Sequence, residues 1–420
     1  MTIKEKEMEE NYFNAKKSRQ YLLLFVCWLV YMFAQLGRYS YNSNTTLIMD
    51  RFSIDHTAAG LPATMFFFAY GIGQLVVGVI CSKYNKRIVI SLALVVSGLI
   101  NLVIFLGIDF IYVKYLWFLN GIAQANLWPV LLLVLRENIA AEKMPIAAIV
   151  MSTASTGGRF VAVGVCALFA IDTSIFTYSF FVASMALFAM AAVWLITARN
   201  VKEPIRTAAA KIEAKKEKTK GAVDGHVVFL LIVFAEFSMA SYAITGGLQQ
   251  WVPSILKENF GLTDWVAIFM SVLLPLFTMT ASFISAFMYN KIKNYVTISL
   301  IMFTIGLLIL GLTLALLDYH WLPIIITLTI DCVSMSVVSH ITSTQVPLML
   351  EGKLNAGFLA GFLNGCCYIG MALSTYVLGS MADVSGWVGA FVLLMGIAFV
   401  SLIISIVYLI VEKVRAKEKQ

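Results

Sequence analysis

Five ionisable side chains fall inside long apolar runs: Arg38, Arg159, Glu236, Asp331 and His340. A charge at the centre of a lipid-crossing helix costs about 2.5–3.5 kcal/mol even on the lenient insertion scale, so such a residue faces a partner or a watery cavity. Arg38 is the strongest of them. At helical spacing its face reads Tyr31, Gln35, Arg38, Tyr41 with Asn42, and Thr45, a polar stripe on an otherwise apolar segment. A guanidinium there takes a carboxylate or phosphate through two parallel hydrogen bonds. Arg159 follows Thr156-Gly157-Gly158, with Ser152 and Ser155 nearby. It is either a second cation for the same ligand or the partner of an acidic side chain, with the glycines serving close helix packing. Glu236 and Asp331 are candidate proton carriers; the competing reading makes them permanent ion-pair partners of Arg38 or Arg159. His340 reads as structural. Neutral candidates project at the same period: Gln124 with Asn120, then Tyr242, Thr245 and Gln249, then Asn364 and Tyr368.

The elements that must position these residues are membrane-crossing helices. Of the 420 residues, 60% are hydrophobic and 13% charged, and the mean hydropathy is +0.87; soluble domains are nearer half apolar and a quarter charged. Crossing a core of about 30 Å takes about 20 helical residues. Runs of that length lie near 22–46, 58–81, 88–108, 112–135, 145–171, 175–198, 227–251, 265–289, 295–317, 322–347, 356–381 and 387–411, hereafter spans 1 to 12. Single segments satisfy their backbone groups in lipid only as helices, so the expected class is an all-α membrane protein. The first twenty residues lack the pattern of a cleaved signal, so the first run is expected to be a retained span. The six cysteines sit in or beside apolar runs with no metal-ligand or disulfide spacing. No Walker-type phosphate loop occurs. No catalytic residue, metal, cofactor or nucleic-acid site is expected.

Lysine and arginine set the orientation. One side holds Lys83, Lys86 and Arg87, then Arg136 and Lys143, then Lys291 and Lys293, then Lys353, together with the basic tail; the other holds Asp50, Asp55, Asp172, Asp264, Asp318 and Asp383. The positive-inside rule places both termini in the cytoplasm, in an inner, or cell, membrane. Trp251, Trp265, Trp321 and Trp387 fall at the outer span ends, where an aromatic belt is expected. The polar stretch 199–226 divides the chain six spans from six and reads as a cytoplasmic linker. The expected organisation is a tail over 1–20, a six-helix bundle over 21–198, the linker, a second bundle over 227–411 and a tail over 412–420.

A weak internal repeat supports two related halves. Loop 2–3 reads Gly78-Val-Ile-Cys-Ser82-Lys83-Tyr-Asn85-Lys86-Arg87, and loop 8–9 reads Ala286-Phe-Met-Tyr-Asn290-Lys291-Ile-Lys293. The first, with Gly78, Lys83, Lys86 and Arg87 as its gating residues, resembles the loop signature of the major facilitator superfamily, with Ser82 for the aspartate and Asn85 for the second glycine. The stretch Trp117 to Pro129 resembles the span-4 motif of the organophosphate:anion antiporter family. Ala69-Tyr70-Gly71, Trp251-Val252-Pro253 and Ala356 to Phe362 fit the same family. The resemblance covers essentially the whole chain. It implies two pseudo-symmetric six-helix bundles in which spans 1, 4, 7 and 10 line a central cavity, and it places Arg38 on the family's span-1 arginine.

The resemblance implies a secondary active transporter of a small organic anion, working by alternating access with proton coupling or anion exchange, as a monomer in the lipid bilayer. Two family cations are replaced, one by Gln74 and one by Thr245. Gln74 is similar to the residue of anion:cation symporters, which favours a carboxylate such as a sugar acid over an organophosphate. The rival expectations are an exporter of amphiphilic drugs and a transporter-like membrane sensor. The expected substrate contacts are Arg38, Tyr41, Asn42, Gln74, Gln124, Arg159, Tyr242, Thr245, Gln249, Asn364 and Tyr368.

Overall fold

The computed structural model describes residues 17–80, 85–139, 143–200, 225–350, 354 and 356–418. Among the described residues, eleven helical stretches are long and apolar enough to cross a membrane. The last of these, Phe358–Arg415, has 58 residues, about 87 Å of helix at 1.5 Å per residue. It turns back at Gly386, whose φ of 66° and ψ of −175° lie in a region open to glycine alone. It therefore makes two crossings, for twelve in all. The fold is all-helical, as the apolar runs require.

Span 1 runs Lys17–Ser43 and continues as Thr45–Phe52. Spans 2 and 3 are His56–Ile80 and Lys86–Phe105. Span 4 is Phe110–Ala125 followed by Leu127–Asn138. Spans 5 and 6 are Met144–Phe169 and Tyr178–Thr197. Span 8 is interrupted, as Asp264–Ser271, Leu273–Thr278 and Ala281–Ile292, and span 9 is Tyr295–Leu316. Span 10, Trp321–His340, passes through a π-helical turn at Ile341–Gln345 before Val346–Met349. Expected and observed boundaries agree within a few residues for most spans; span 1 runs past its expected end at 46 to Phe52, and the largest departure is span 7, Gly225–Phe260. Its 36 residues, roughly 54 Å, exceed the bilayer core and carry Lys257 and Glu258 outward. The expected run ends at 251, two residues before Pro253, a usual helix breaker. The helix instead continues past it, forgoing only the bond that a proline cannot donate to the carbonyl four residues back. Span 12 likewise continues beyond 411 to Glu418. The expected linker lies almost wholly outside the described residues, as do Lys83, Lys353 and the extreme tails.

Helix pairing repeats after six spans. Span 1 packs on 5, 2 on 4 and 3 on 6; span 7 packs on 11, 8 on 10 and 9 on 12. Bare glycine surfaces allow the closest of these contacts. A Cβ on Gly158 would lie 2.3 Å from the Met32 carbonyl oxygen, and one on Gly370 would lie 2.1 Å from that of Met239. Gly158 thus serves close helix packing, as one reading of its motif requires. The two halves meet where span 2 crosses span 11 and span 5 crosses span 8.

One end of this seam is shut by side chains from both halves. His56 and Thr57, at the start of span 2, bond Asp383 of span 11, and His56 also reaches Glu258 of span 7. Lys257 joins Asp50 and Asp264. Trp251, with no exposed surface, donates its indole N–H to the Thr375 carbonyl (3.0 Å), and Trp387 donates to Glu258 (2.8 Å). These two tryptophans, both of the second half, therefore correct the belt expectation: packing within their own half, with Gly60 and His56 of the first half against them, buries them. Trp265 stays at the surface, at 43% exposure.

Candidate functional site

Arg38 is buried at 1% exposure among spans 1, 2, 4 and 11. Its Nε donates to Gln124 Oε1 at 3.2 Å. The guanidinium carbon stands 4.3 Å from the centroid of the Tyr70 ring and 5.2 Å from that of Phe66. Its Nη2 is buried with no hydrogen-bond partner in the protein. Among the described residues no carboxylate lies within ion-pair distance of Arg38 or Arg159. The ion-pair reading of Arg38 thus finds no partner, and its unspent donor can meet an anion.

A buried amide network fixes the arginine. Gln124 Nε2 donates to Ser97 Oγ (2.8 Å) and to Asn120 Oδ1 (3.1 Å). Asn120 and Asn101 both donate to the Gly37 carbonyl, next to Arg38, and Asn101 accepts from Ser40. Such a network, with its donors paired, holds one rotamer of Gln124 and hence one pose of Arg38. Ser97 and Asn101 were not singled out from the sequence. Their signal was present: two polar residues at i, i+4 in the apolar span 3.

Arg159 is half-buried, donates to Gln249 Oε1 across the two halves and stands 4.5 Å over the Tyr39 ring. The hydroxyl of Tyr39 is also within electrostatic range of Arg38, along with those of Tyr31, Tyr70 and Tyr368. Tyr242 packs on Tyr368 at 5.6 Å, and Tyr368 on Tyr70 at 4.4 Å. Both guanidiniums therefore border one tyrosine cluster at the seam. Below it, Gln74 donates to the Ala125 carbonyl (2.9 Å) and accepts from Asn364 (3.3 Å). The structure thus gathers Arg38, Gln74, Gln124, Arg159, Tyr242, Gln249, Asn364 and Tyr368. Tyr39 and Phe66 join them unforeseen, as does Tyr70, noted earlier only within its motif.

Other expected residues are placed elsewhere. Tyr41 donates to the Ala59 carbonyl (2.7 Å) and packs on Trp117, so its hydroxyl is spent within the bundle. The Asn42 side-chain Nδ2 is buried without a partner, and the Asn42 backbone carbonyl accepts from the Thr45 hydroxyl (2.9 Å). The Thr245 hydroxyl is spent on the Ser241 carbonyl of its own helix (2.8 Å). Glu236 accepts from Ser401 of span 12 (2.7 Å), turned away from Arg38. Asp331 has no exposed surface and no hydrogen-bond partner. It faces span 9, where a Cβ on Gly306 would lie 3.0 Å from its Oδ1. Helical phase decides both outcomes: a charge on a cavity-lining span need not lie on the cavity-lining face. His340 meets Ser285 at 2.9 Å, within its own half.

At the other end of the first half, Asn85 caps span 3 by accepting from the Arg87 and Ile88 amides. Lys86 pairs with Glu137 (3.0 Å), and Arg87 donates to the Leu195 carbonyl (3.0 Å). The basic end of the loop motif therefore ties spans 3, 4 and 6 together. Gly78 closes span 2, its surroundings outside the described residues. An apolar groove of about 390 Å³, lined by Leu273, Phe277, Ile326 and Ile330 among others, lies between spans 8 and 10. It carries no charge and takes no part in this cluster.

Comparison with known proteins gives the same architecture. The chain is 23% identical over 441 aligned positions to a probable hexose phosphate transport protein of Chlamydia pneumoniae, covering 96% of this chain and 93% of that one. A shorter stretch of 106 residues, a quarter of this chain, is 28% identical to the membrane sensor protein UhpC of Escherichia coli K12. Among solved structures, a bacterial homologue of the human lysosomal transporter Spinster, inward-facing and occupied, superposes with a TM-score of 0.75 at 13% identity, covering 93% of this chain and 97% of that one. A D-xylose–proton symporter gives 0.71 at 12% identity, covering 92% and 95%. Residues 27–375 match the sequence profile of the Major Facilitator Superfamily, most of the chain; the protein belongs to that superfamily.

Proposed function

We propose that this protein is a secondary transporter of a small organic anion, a sugar phosphate or sugar acid, whose charged group is received by Arg38. The observation that carries the proposal is a buried guanidinium with an unpartnered Nη2 and no carboxylate beside it. Burying an uncompensated charge costs several kcal/mol, and an anionic ligand offsets that cost. The tyrosines between Arg38 and Arg159 offer ring faces for stacking and hydroxyls for a sugar-sized body. The relative named for hexose phosphate transport supports the phosphate arm, and the replaced cations at Gln74 and Thr245 support the carboxylate arm. Both termini lie in the cytoplasm in this reading, so the latched end faces outward and the observed state is closed to the outside.

The similarity to UhpC favours a second reading, a sensor that binds the same anion without moving it. Two measurements on the purified protein separate these readings. In thermal unfolding, sugar phosphates or sugar acids raise the melting point while their neutral parent sugars do not; a ligand at 100 times its Kd adds about 2.7 kcal/mol. In proteoliposomes, labelled anion then exchanges across the membrane. Stabilisation without exchange selects the sensor. Stabilisation by neutral sugars or amphiphilic cations alone overturns the anion reading.

A further inference from the structure

The latched end carries titratable groups that anion binding does not use. His56 Nδ1 lies 2.6 Å from Asp383 Oδ1, and His56 Nε2 lies 2.7 Å from Glu258 Oε1. Both carboxylates have other donors to serve. Asp383 Oδ1 also accepts the His56 amide (3.0 Å), while its Oδ2 accepts the Thr57 amide (2.8 Å) and hydroxyl (2.6 Å). Glu258 Oε2 accepts the Trp387 indole. A neutral imidazole has one N–H and cannot donate to both acids. The two short contacts are satisfied together when the triad holds one more proton than a neutral imidazole between two free carboxylates. That proton belongs to the group, not to one residue.

The two sides of this triad come from different halves. His56 belongs to the first, and Glu258 and Asp383 belong to the second, so parting the halves at this end separates the imidazole from both acids. We propose that His56, Asp383 and Glu258 form a proton-binding site that is occupied when this end is closed and emptied when it opens. Whatever binds one state better shifts the population toward it, so acid on this face favours closure. For one linked proton the closed-to-open ratio changes by up to about tenfold per pH unit.

The other groups around His56 leave this sign intact. Asp55, just before it, is engaged with the Ala58 amide (2.8 Å). Lys257, next to Glu258, is held by Asp50 and Asp264. The remaining neighbours are the Trp251 and Trp387 rings, at 5.5 and 5.3 Å. The Lys257–Asp50 pair also joins the halves, but an ammonium keeps its charge across the range in which an imidazole titrates; it adds a latch that does not depend on pH. The inference rests on the transport reading in one respect, that this end opens at all.

The test reads opening directly and needs no anion, so it fails separately from binding at Arg38. Spin labels are placed on the exposed outer turns of the two halves through Thr173→Cys and Asp318→Cys, in full-length protein with the native cysteines replaced by serine, in lipid nanodiscs. Pulsed electron resonance measures their separation between about pH 8 and pH 5.5, the range of an ordinary imidazole. The short-distance population is expected to rise at least roughly threefold on acidification, well within the limit set by one proton. His56→Gln should abolish the response, and His56→Arg, a permanent cation, should hold the short distance at both ends of the range. His320→Gln, on an outer turn but outside the triad, should respond like the parent. Thermal unfolding confirms that each variant is folded; if His56→Gln is not, Glu258→Gln takes its place, since its amide donates to a neutral ring and should blunt the response. A distance distribution that ignores pH, or a response that survives His56→Gln, overturns the proposal.

Discussion

Replacing Arg38 separates a ligand-binding cation from a structural one. Arg38→Ala removes one hydrogen bond, at 3.2 Å to Gln124, whose Nε2 stays paired with Ser97 and Asn120. A hydrogen bond to a charged group contributes about 1.5–3 kcal/mol, and each cation–π contact with Tyr70 and Phe66 roughly 0.5–2 kcal/mol. Against this stands the cost of burying an ion without a counter-charge, several kcal/mol. The opposing terms are of similar size, so the anion-free melting point should move by no more than about 4 °C. Anion affinity should behave differently. Losing a buried charge-paired contact costs about 2–5 kcal/mol, roughly 30- to 5,000-fold in Kd. Arg38→Lys keeps the charge but not the two-pronged geometry, and losing one charge-assisted bond of about 1.5–3 kcal/mol should weaken binding roughly 10- to 150-fold. The assay is thermal unfolding with and without anion, alongside proteoliposome exchange, for the parent and both variants. Wild-type exchange by Arg38→Lys would refute the bidentate reading. So would a large loss of anion-free stability in Arg38→Ala that Asp331→Asn or Glu236→Gln restores, since that is the signature of an ion pair.

Three further outcomes follow from the packing. Gly370→Ala brings a methyl to 2.1 Å from the Met239 carbonyl oxygen, so spans 7 and 11 must part; unfolding should show a loss of about 1–3 kcal/mol, the range for overpacking. Asp331→Asn should leave anion binding unchanged and the melting point equal or higher, because it replaces an unpartnered acid in an apolar contact with span 9; lost binding in a stably folded variant would show that Asp331 communicates with the site. Gln249→Ala removes the cross-half acceptor of Arg159. If Arg159 also serves the ligand, this variant should retain anion binding within roughly tenfold, about 1.4 kcal/mol, while Arg159→Ala loses more; equal losses in the two would make the arginine a strut between the halves.

The class of fold was legible because lipid leaves little choice. Twenty-residue apolar runs must be helices, and their number and the central polar stretch need no tertiary information. Arg38 was legible for the same reason, since a polar stripe at helical period on span 1 is costly toward lipid. Its fixing residues Ser97 and Asn101 lie on span 3, which is not among the spans expected to line the cavity, although their i, i+4 spacing marks them.

Local sequence could not say which face of each helix turns inward. Glu236 and Asp331 lie on spans expected to line the cavity, yet packing rotates them toward spans 12 and 9. Nor does local sequence state what happens when two halves meet. Trp251 and Trp387 look like belt residues until their own bundle and the start of span 2 close over them, and His56, Glu258 and Asp383 look like separate outer-loop residues. They lie 202 to 327 positions apart along the chain from His56, and a contact at that separation is set by how the bundles dock, which no local pattern encodes. Sequence thus determined the helices, their number and the buried cation, through the cost of polar groups in lipid; only the tertiary structure decided which charges meet, because that depends on helix rotation and on the seam between the halves.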